Sequence, residues 1–112
     1  WAASLDELLV RHRQWPGVRL NPELMLEFAE KVLQPFRDEW CNFAVFGQLR
    51  YSPDDYHRGN GAFEGIDPIL LHSVVRAFMP KNIVEIGSGF STRVAARALA
   101  LNERDCRYSG RF

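Results

Sequence analysis

Apolar positions recur at helical spacing through the first third of the chain. Ser4-Leu5-Asp6-Glu7 has the S-x-x-E form of a capping box and opens an apolar-periodic stretch through Leu5, Leu8, Leu9 and His12. Trp15-Pro16-Gly17 ends that helix. Asn21 caps a second helix, with Pro22 at its first position and Glu23 near the positive end of the dipole. Leu24, Phe28 and Val32 fall at i, i+4 and i+8, flanked by Met25, Ala29 and Leu33, and form one broad apolar face. Pro35 breaks or restarts this helix, and Phe36 to Trp40 form a further turn. Both helices read as packing elements without chemistry of their own.

The pattern then shortens. Asn42 to Gly47 is apolar after its first residue and reads equally as a short strand or an irregular connection. Tyr51 to Gly65 is a polar, glycine-containing loop, with Ser52-Pro53-Asp54-Asp55 as a turn or short helix start. Loops of this length are commonly functional or disordered. Asp67-Pro68 restarts helix, with Ile69, Leu70, Leu71, Val74, Val75 and Phe78 as its buried side and His72 at its surface or core edge. Met79 to Asn82 turns the chain into a predicted strand, Ile83 to Ile86. An alanine-rich helix follows from about Ser91 to Leu101, ending near Asn102, and Cys106 to Ser109 starts a next strand. The organisation is a helical region at 1–50, a polar loop at 51–66 and the start of an α/β domain at 67–112.

Composition narrows the function classes. An apolar fraction of 46% and a charged fraction of 25% over 112 residues suit one small globular domain. Fourteen basic residues balance fourteen acidic ones without a run of either sign, so nothing points to nucleic acid or an anionic membrane surface. No apolar run reaches the roughly 20 residues a spanning helix needs. Cys41 and Cys106 are far apart and outside any C-x-x-C pattern, which reads as two buried thiols in a reducing, cytoplasmic compartment. The pattern contains no metal-ligand cluster, nucleophile elbow or Walker motif.

The stretch with chemistry is Ile83-Val84-Glu85-Ile86-Gly87-Ser88-Gly89-Phe90-Ser91-Thr92. A short apolar strand hands over through Gly-x-Gly to a helix whose first N–H groups face the turn. The glycines admit backbone conformations closed to other residues and allow close approach of a ligand. Ser91 and Thr92 can cap the helix or donate to the ligand. A dinucleotide site calls for a third glycine and an acid about twenty residues later. Here Thr92 occupies the place of that glycine, and the acid, Glu85, lies before the turn. A carboxylate there suits a cofactor carrying an ammonium and a sulfonium better than it suits a pyrophosphate.

Glu85-Ile86-Gly87-Ser88-Gly89-Phe90-Ser91-Thr92 resembles motif I of the class I S-adenosylmethionine-dependent methyltransferases, in the branch that reads E-I-G-S-G-x-S-T. The resemblance extends over roughly residues 56 to 102, through Gly59-Asn60-Gly61-Ala62-Phe63, Gly65-Ile66-Asp67 and Pro80. It implies a Rossmann-like sheet of which this chain supplies the first strand–helix unit, with a parallel partner strand next. It implies methyl transfer from S-adenosylmethionine to a sugar, another small molecule or a protein. Glu85, Gly87, Ser88 and Gly89 would hold the methionine portion and adjoining ribose, with Phe90, Ser91 and Thr92 lining the entry. The family's ribose-gripping acid after the second strand has no counterpart here; Asp105 precedes that strand. With a first residue of Trp1 and some twenty residues after the turn, the sequence reads as an N-terminal fragment, inactive alone.

His57, Arg58 and Asn60 are candidate substrate contacts in the polar loop, against the plainer reading of a solvated loop. No catalytic base is identifiable, and the oligomeric state is open. Two other functions compete: a nicotinamide-dependent oxidoreductase, and a helical interaction module with an incidental glycine turn.

Overall fold

A computed structural model describes residues 20–46, 55–107 and 110–111. The N-terminal capping box and its helix, and the Ser52–Asp54 turn, lie outside the described residues. The rest is a mixed α/β arrangement of helices and a two-stranded parallel sheet.

The first described helix begins where Asn21 and Pro22 direct it. Asn21 is extended, its side-chain oxygen accepts the Leu24 N–H at 3.1 Å, and helix α1 runs Pro22–Phe28. Pro35 then forces an irregularity, because its ring has no N–H to give and crowds the carbonyl four residues back. The chain widens into a π turn, Ala29–Leu33, in which the Gln34 N–H reaches Ala29. It tightens into a 3₁₀ turn, Gln34–Phe36, and regains α geometry as helix α2, Arg37–Cys41. The proline thus reshapes the helix without ending it. The broad apolar face of α1 is left open among the described residues: Leu24, Met25 and Leu26 are exposed, and Leu24, Met25, Phe28, Ile66 and Leu70 border an apolar groove of about 450 Å³.

Within the described residues 42–46, the strand alternative holds at Ala44–Val45. Strand β1, Ala44–Val45, pairs in parallel with β2, His57–Arg58, with Ala44 opposite His57 and Val45 opposite Arg58. Helix α3, Asp67–Phe78, starts at Asp67-Pro68 as expected and closes on Met79 in the left-handed conformation. Its buried side differs from the expected apolar list. Phe78 is 64% exposed, while His72, Ser73 and Arg76 are buried beside Val75. Polar groups hold this face because they find partners on neighbouring helices, described below. Helix α4 runs Phe90–Cys106, starting one residue earlier and ending about one turn later than the sequence suggests. Cys106 therefore belongs to the helix and not to a following strand, and both cysteines are free and exposed rather than buried.

The expected strand Ile83–Ile86 forms no ladder along its length. Its region makes one parallel bridge, Asn82 opposite Arg111, closed by Ile83 N–H to Arg111 O and Arg111 N–H to Lys81 O, each 2.9 Å. A strand buried on both faces needs neighbours on both sides. Val84 and Ile86 are instead fully open, at 91% and 103% exposure. The return segment passes close enough to demand glycine at position 110, where a Cβ would sit 2.8 Å from the Pro80 carbonyl oxygen. Helices α3 and α4 pack together over Val75, Ala95, Ala98 and Leu99, with Leu71 and Ile83 beside them. A second cluster, Phe43, Tyr56 and Val94, joins β1, the loop and α4. No described helix is long and apolar enough to cross a membrane.

Candidate functional site

Ile83 packs against the α3–α4 core and leads into the glycine turn, while α4 begins at Phe90. The turn stands at the helix N-terminus, as the motif implies. Gly87 has φ of 91°, a conformation that side chains strain to reach, and Gly89 precedes the first helical residue in an extended conformation. A Cβ at either position would meet nothing within 4 Å, so space beside the turn is open.

Glu85 organises this corner. Its two carboxylate oxygens accept from the Ser91 and Thr92 hydroxyls, one each. The same Thr92 oxygen accepts the Gly89 N–H at 3.0 Å, which ties the turn to the third helical residue. Hydrogen bonds from Ser91, then Thr92, hold the Glu85 carboxyl below the usual carboxylate range, so it is ionised at neutral pH. Ile83, Val84, Glu85, Gly87, Ser88 and Thr92 line a cleft of about 330 Å³ at this corner. Ser88 is exposed on its rim.

Phe90 connects the turn to the polar loop. Its ring lies 5.1 Å from that of His57 and 6.4 Å from that of Tyr56, both edge-to-face. Loop and turn, distant in sequence, thus adjoin through the Phe90 ring. The three loop candidates occupy different settings. His57 is buried, on β2, with its Nδ1 3.3 Å from the Arg58 carbonyl. Arg58 is exposed and donates through Nη2 to the Trp40 carbonyl at the end of α2. Asn60 spends its side chain on the loop: its oxygen accepts from Ala62 and Phe63 N–H, and its nitrogen donates to the His57 and Phe63 carbonyls. Such a closed pattern shapes the loop. Tyr56 supports it by donating to the Phe63 carbonyl at 3.0 Å, and burial pushes its phenol pKa up.

The sequence did not single out a polar network centred on buried Arg76 and Asn102. Arg76 forks onto Glu39, with Nε 2.8 Å from Oε2 and Nη2 2.8 Å from Oε1. It also reaches Asp105 Oδ2 at 2.7 Å and Asn102 Oδ1 at 2.5 Å. Asn102 in turn donates to the Val75 carbonyl at 2.9 Å. This network clamps α2, α3 and α4 together. His72, fully buried, contacts Glu39 through Nε2 at 2.7 Å, so the expected surface or core-edge histidine is an interior group. Its Nδ1 has no hydrogen-bond partner among the described residues, which fits a neutral ring donating from Nε2. Burial depresses its pKa more strongly than Glu39 raises it. Burial would raise Glu39, but hydrogen bonds from Arg76 and His72 and the charge of Arg76 carry it below its ordinary value. A polar pair at i, i+4 inside an apolar face, here His72 and Arg76, was the sequence signal for this clamp.

Among the described residues, no group of three or more His, Cys, Asp or Glu side chains is placed to hold a metal ion. A 40-residue segment is 42% identical to an uncharacterized protein of Archaeoglobus fulgidus, spanning 36% of this chain and 18% of that protein. No family model and no solved structure matches the chain.

Proposed function

We propose that this chain carries the cofactor-holding corner of a Rossmann-like S-adenosylmethionine-dependent methyltransferase. The observation that carries the reading is the Glu85–Ser91–Thr92 arrangement at the mouth of α4. The sequence motif calls for an acid before a Gly-x-Gly turn, and here that acid is ionised and braced against the helix beside an open cleft.

The residues fit such a cofactor. The missing Cβ atoms at Gly87 and Gly89 leave the cleft open to close approach. Each Glu85 oxygen has a second lone pair beyond the one that Ser91 or Thr92 engages. That leaves acceptor capacity for an ammonium or a ribose hydroxyl, and the negative charge suits a cationic ligand. When bound, S-adenosylmethionine would supply an electrophilic methyl group for in-line displacement. The chain's part is alignment. Ser91 and Thr92 hold the carboxylate, the Gly89–Thr92 bond fixes the turn, and the Phe90 contact fixes the loop beside it.

Calorimetric titration of the intact protein tests this reading. S-adenosylhomocysteine is expected to bind, and Glu85→Gln to weaken binding about tenfold, equivalent to about 1.4 kcal/mol. Binding of NADH in its place would transfer the site to the oxidoreductases. Binding of neither would leave the helices as an interaction module.

A further inference from the structure

A second cleft, of about 450 Å³, lies where α2 ends, bounded by Phe43, Val45, Asp55, Arg58 and Arg97. Its two arginines come from distant parts of the chain, β2 and the middle of α4. The guanidinium carbon of Arg97 stands 5.4 Å from the Phe43 ring centroid, a cation–π contact that positions the group without using its N–H donors. Arg58 is anchored by its one bond to the Trp40 carbonyl, and a guanidinium has five N–H donors.

Neither arginine forms an ion pair among the described residues, although Asp55 borders the same cleft. The contrast with Arg76 is direct: Arg76 is shared among Glu39, Asp105 and Asn102. Among the described residues, two guanidinium groups face one carboxylate, a positive balance. The helix end beside it would oppose an anion through its free carbonyls. Two of those are capped, Trp40 by Arg58 and Asp38 by the Asn42 amide at 2.7 Å.

We propose that Arg58 and Arg97 bind a phosphate group of a small-molecule ligand in this cleft. A planar carboxylate is satisfied by one guanidinium fork, whereas two forks from separate elements suit the several oxygens of a tetrahedral anion. The volume admits a phosphorylated sugar-sized molecule. The cleft adjoins the glycine turn through the ring series Phe43, Tyr56 and Phe90, with centroid spacings of 5.0 and 6.4 Å. The inference nonetheless stands or falls independently of methyl transfer.

The experiment is an NMR titration of the intact protein with inorganic phosphate, against chloride at matched ionic strength. Saturable shifts at residues 42–45, 58 and 97 are expected, with affinity reduced about tenfold or more in Arg97→Gln and in Arg58→Gln. Asp55→Asn should tighten binding two- to threefold, a gain that misfolding cannot mimic. Absence of saturable shifts in the folded wild type, or unchanged affinity in both Arg97→Gln and Asp55→Asn, would overturn the proposal.

Discussion

The two ends of α4 are fixed by opposite means. At its C-terminal half, Asn102 and Asp105 belong to a network around a buried arginine. At its N-terminal end, the bracing is an exposed corner of hydroxyls, glycines and one carboxylate. The first end uses strong groups to satisfy one another and so yields rigidity. The second uses modest groups to hold a turn beside open space. A charge fully matched inside a protein stabilises its position, whereas one only half engaged can still recognise something else.

The largest difference between the ends should appear on cutting the clamp. Arg76→Ala leaves Glu39 without its main partner and is expected to cost about 3–5 kcal/mol, read as a lower urea midpoint. Asn102→Ala, which takes the Asn102 oxygen from Arg76 Nη1 and one of two donors from the Val75 carbonyl, should cost about 1–3 kcal/mol. Glu85→Gln should move the midpoint far less than either. A midpoint that falls further for Glu85→Gln than for Arg76→Ala would reverse the comparison.

Acid should weaken the clamp from within. His72, Glu39 and Asp105 all titrate below their ordinary values in the folded chain; for Asp105 the chief cause is Arg104, with Arg76 also contributing. For such groups the unfolded chain binds more protons, so their stabilisation is complete above the unfolded pKa and is lost as pH falls through the folded one. The His72 contribution begins to fade below its ordinary value of 6.5 and the Glu39 contribution below 4.5. The slope from His72 alone reaches at most about 1.4 kcal/mol per pH unit. Urea midpoints between pH 7.5 and 5 should fall, and His72→Gln should flatten the decline. An equal slope in that variant would remove His72 from the account.

The smallest effect separates the two glycines of the turn. Both have open space for a Cβ, so only backbone conformation distinguishes them. Gly87→Ala, at φ of 91°, should cost about 1–2 kcal/mol, and Gly89→Ala, at φ of 174°, less than about 0.5. Thermal midpoints of the two variants provide the measurement. Equal values would mean that the left-handed position is not what requires glycine here.

Local signals were legible in the sequence wherever a single segment decides its own conformation. Asn21-Pro22 marked a helix start, Asp67-Pro68 another, and the Gly-x-Gly turn lies at a helix N-terminus as its motif implies. What could not be read depended on partners far along the chain. Glu39 and Arg76 are 37 residues apart; His72 and Arg76 mark a polar spot on their own helix, but nothing beside them names Glu39 as the partner. For the same reason His72 read as a surface or edge residue, and Arg97 passed unnoticed against Phe43. The reading of Ile83 to Ile86 as a strand failed on neighbours too, since a short apolar run marks a segment fit for burial but cannot supply the strands that would flank it.

The π turn at Ala29–Leu33 sets the angular phase of everything after it. Each residue of an α-helix advances the chain about 100° around its axis. The wide turn absorbs an extra residue, so the side chains before and after it look in directions a regular helix would not give them. Upstream, Leu24, Met25 and Phe28 border the open groove; downstream, Glu39 faces His72 and Arg76. Removing one residue between Ala29 and Leu33 would swing Glu39 by about that same 100° and uncouple α2 from the clamp, with every chemical group still present. In this stretch the spacing between residues, as much as their identity, is inherited information.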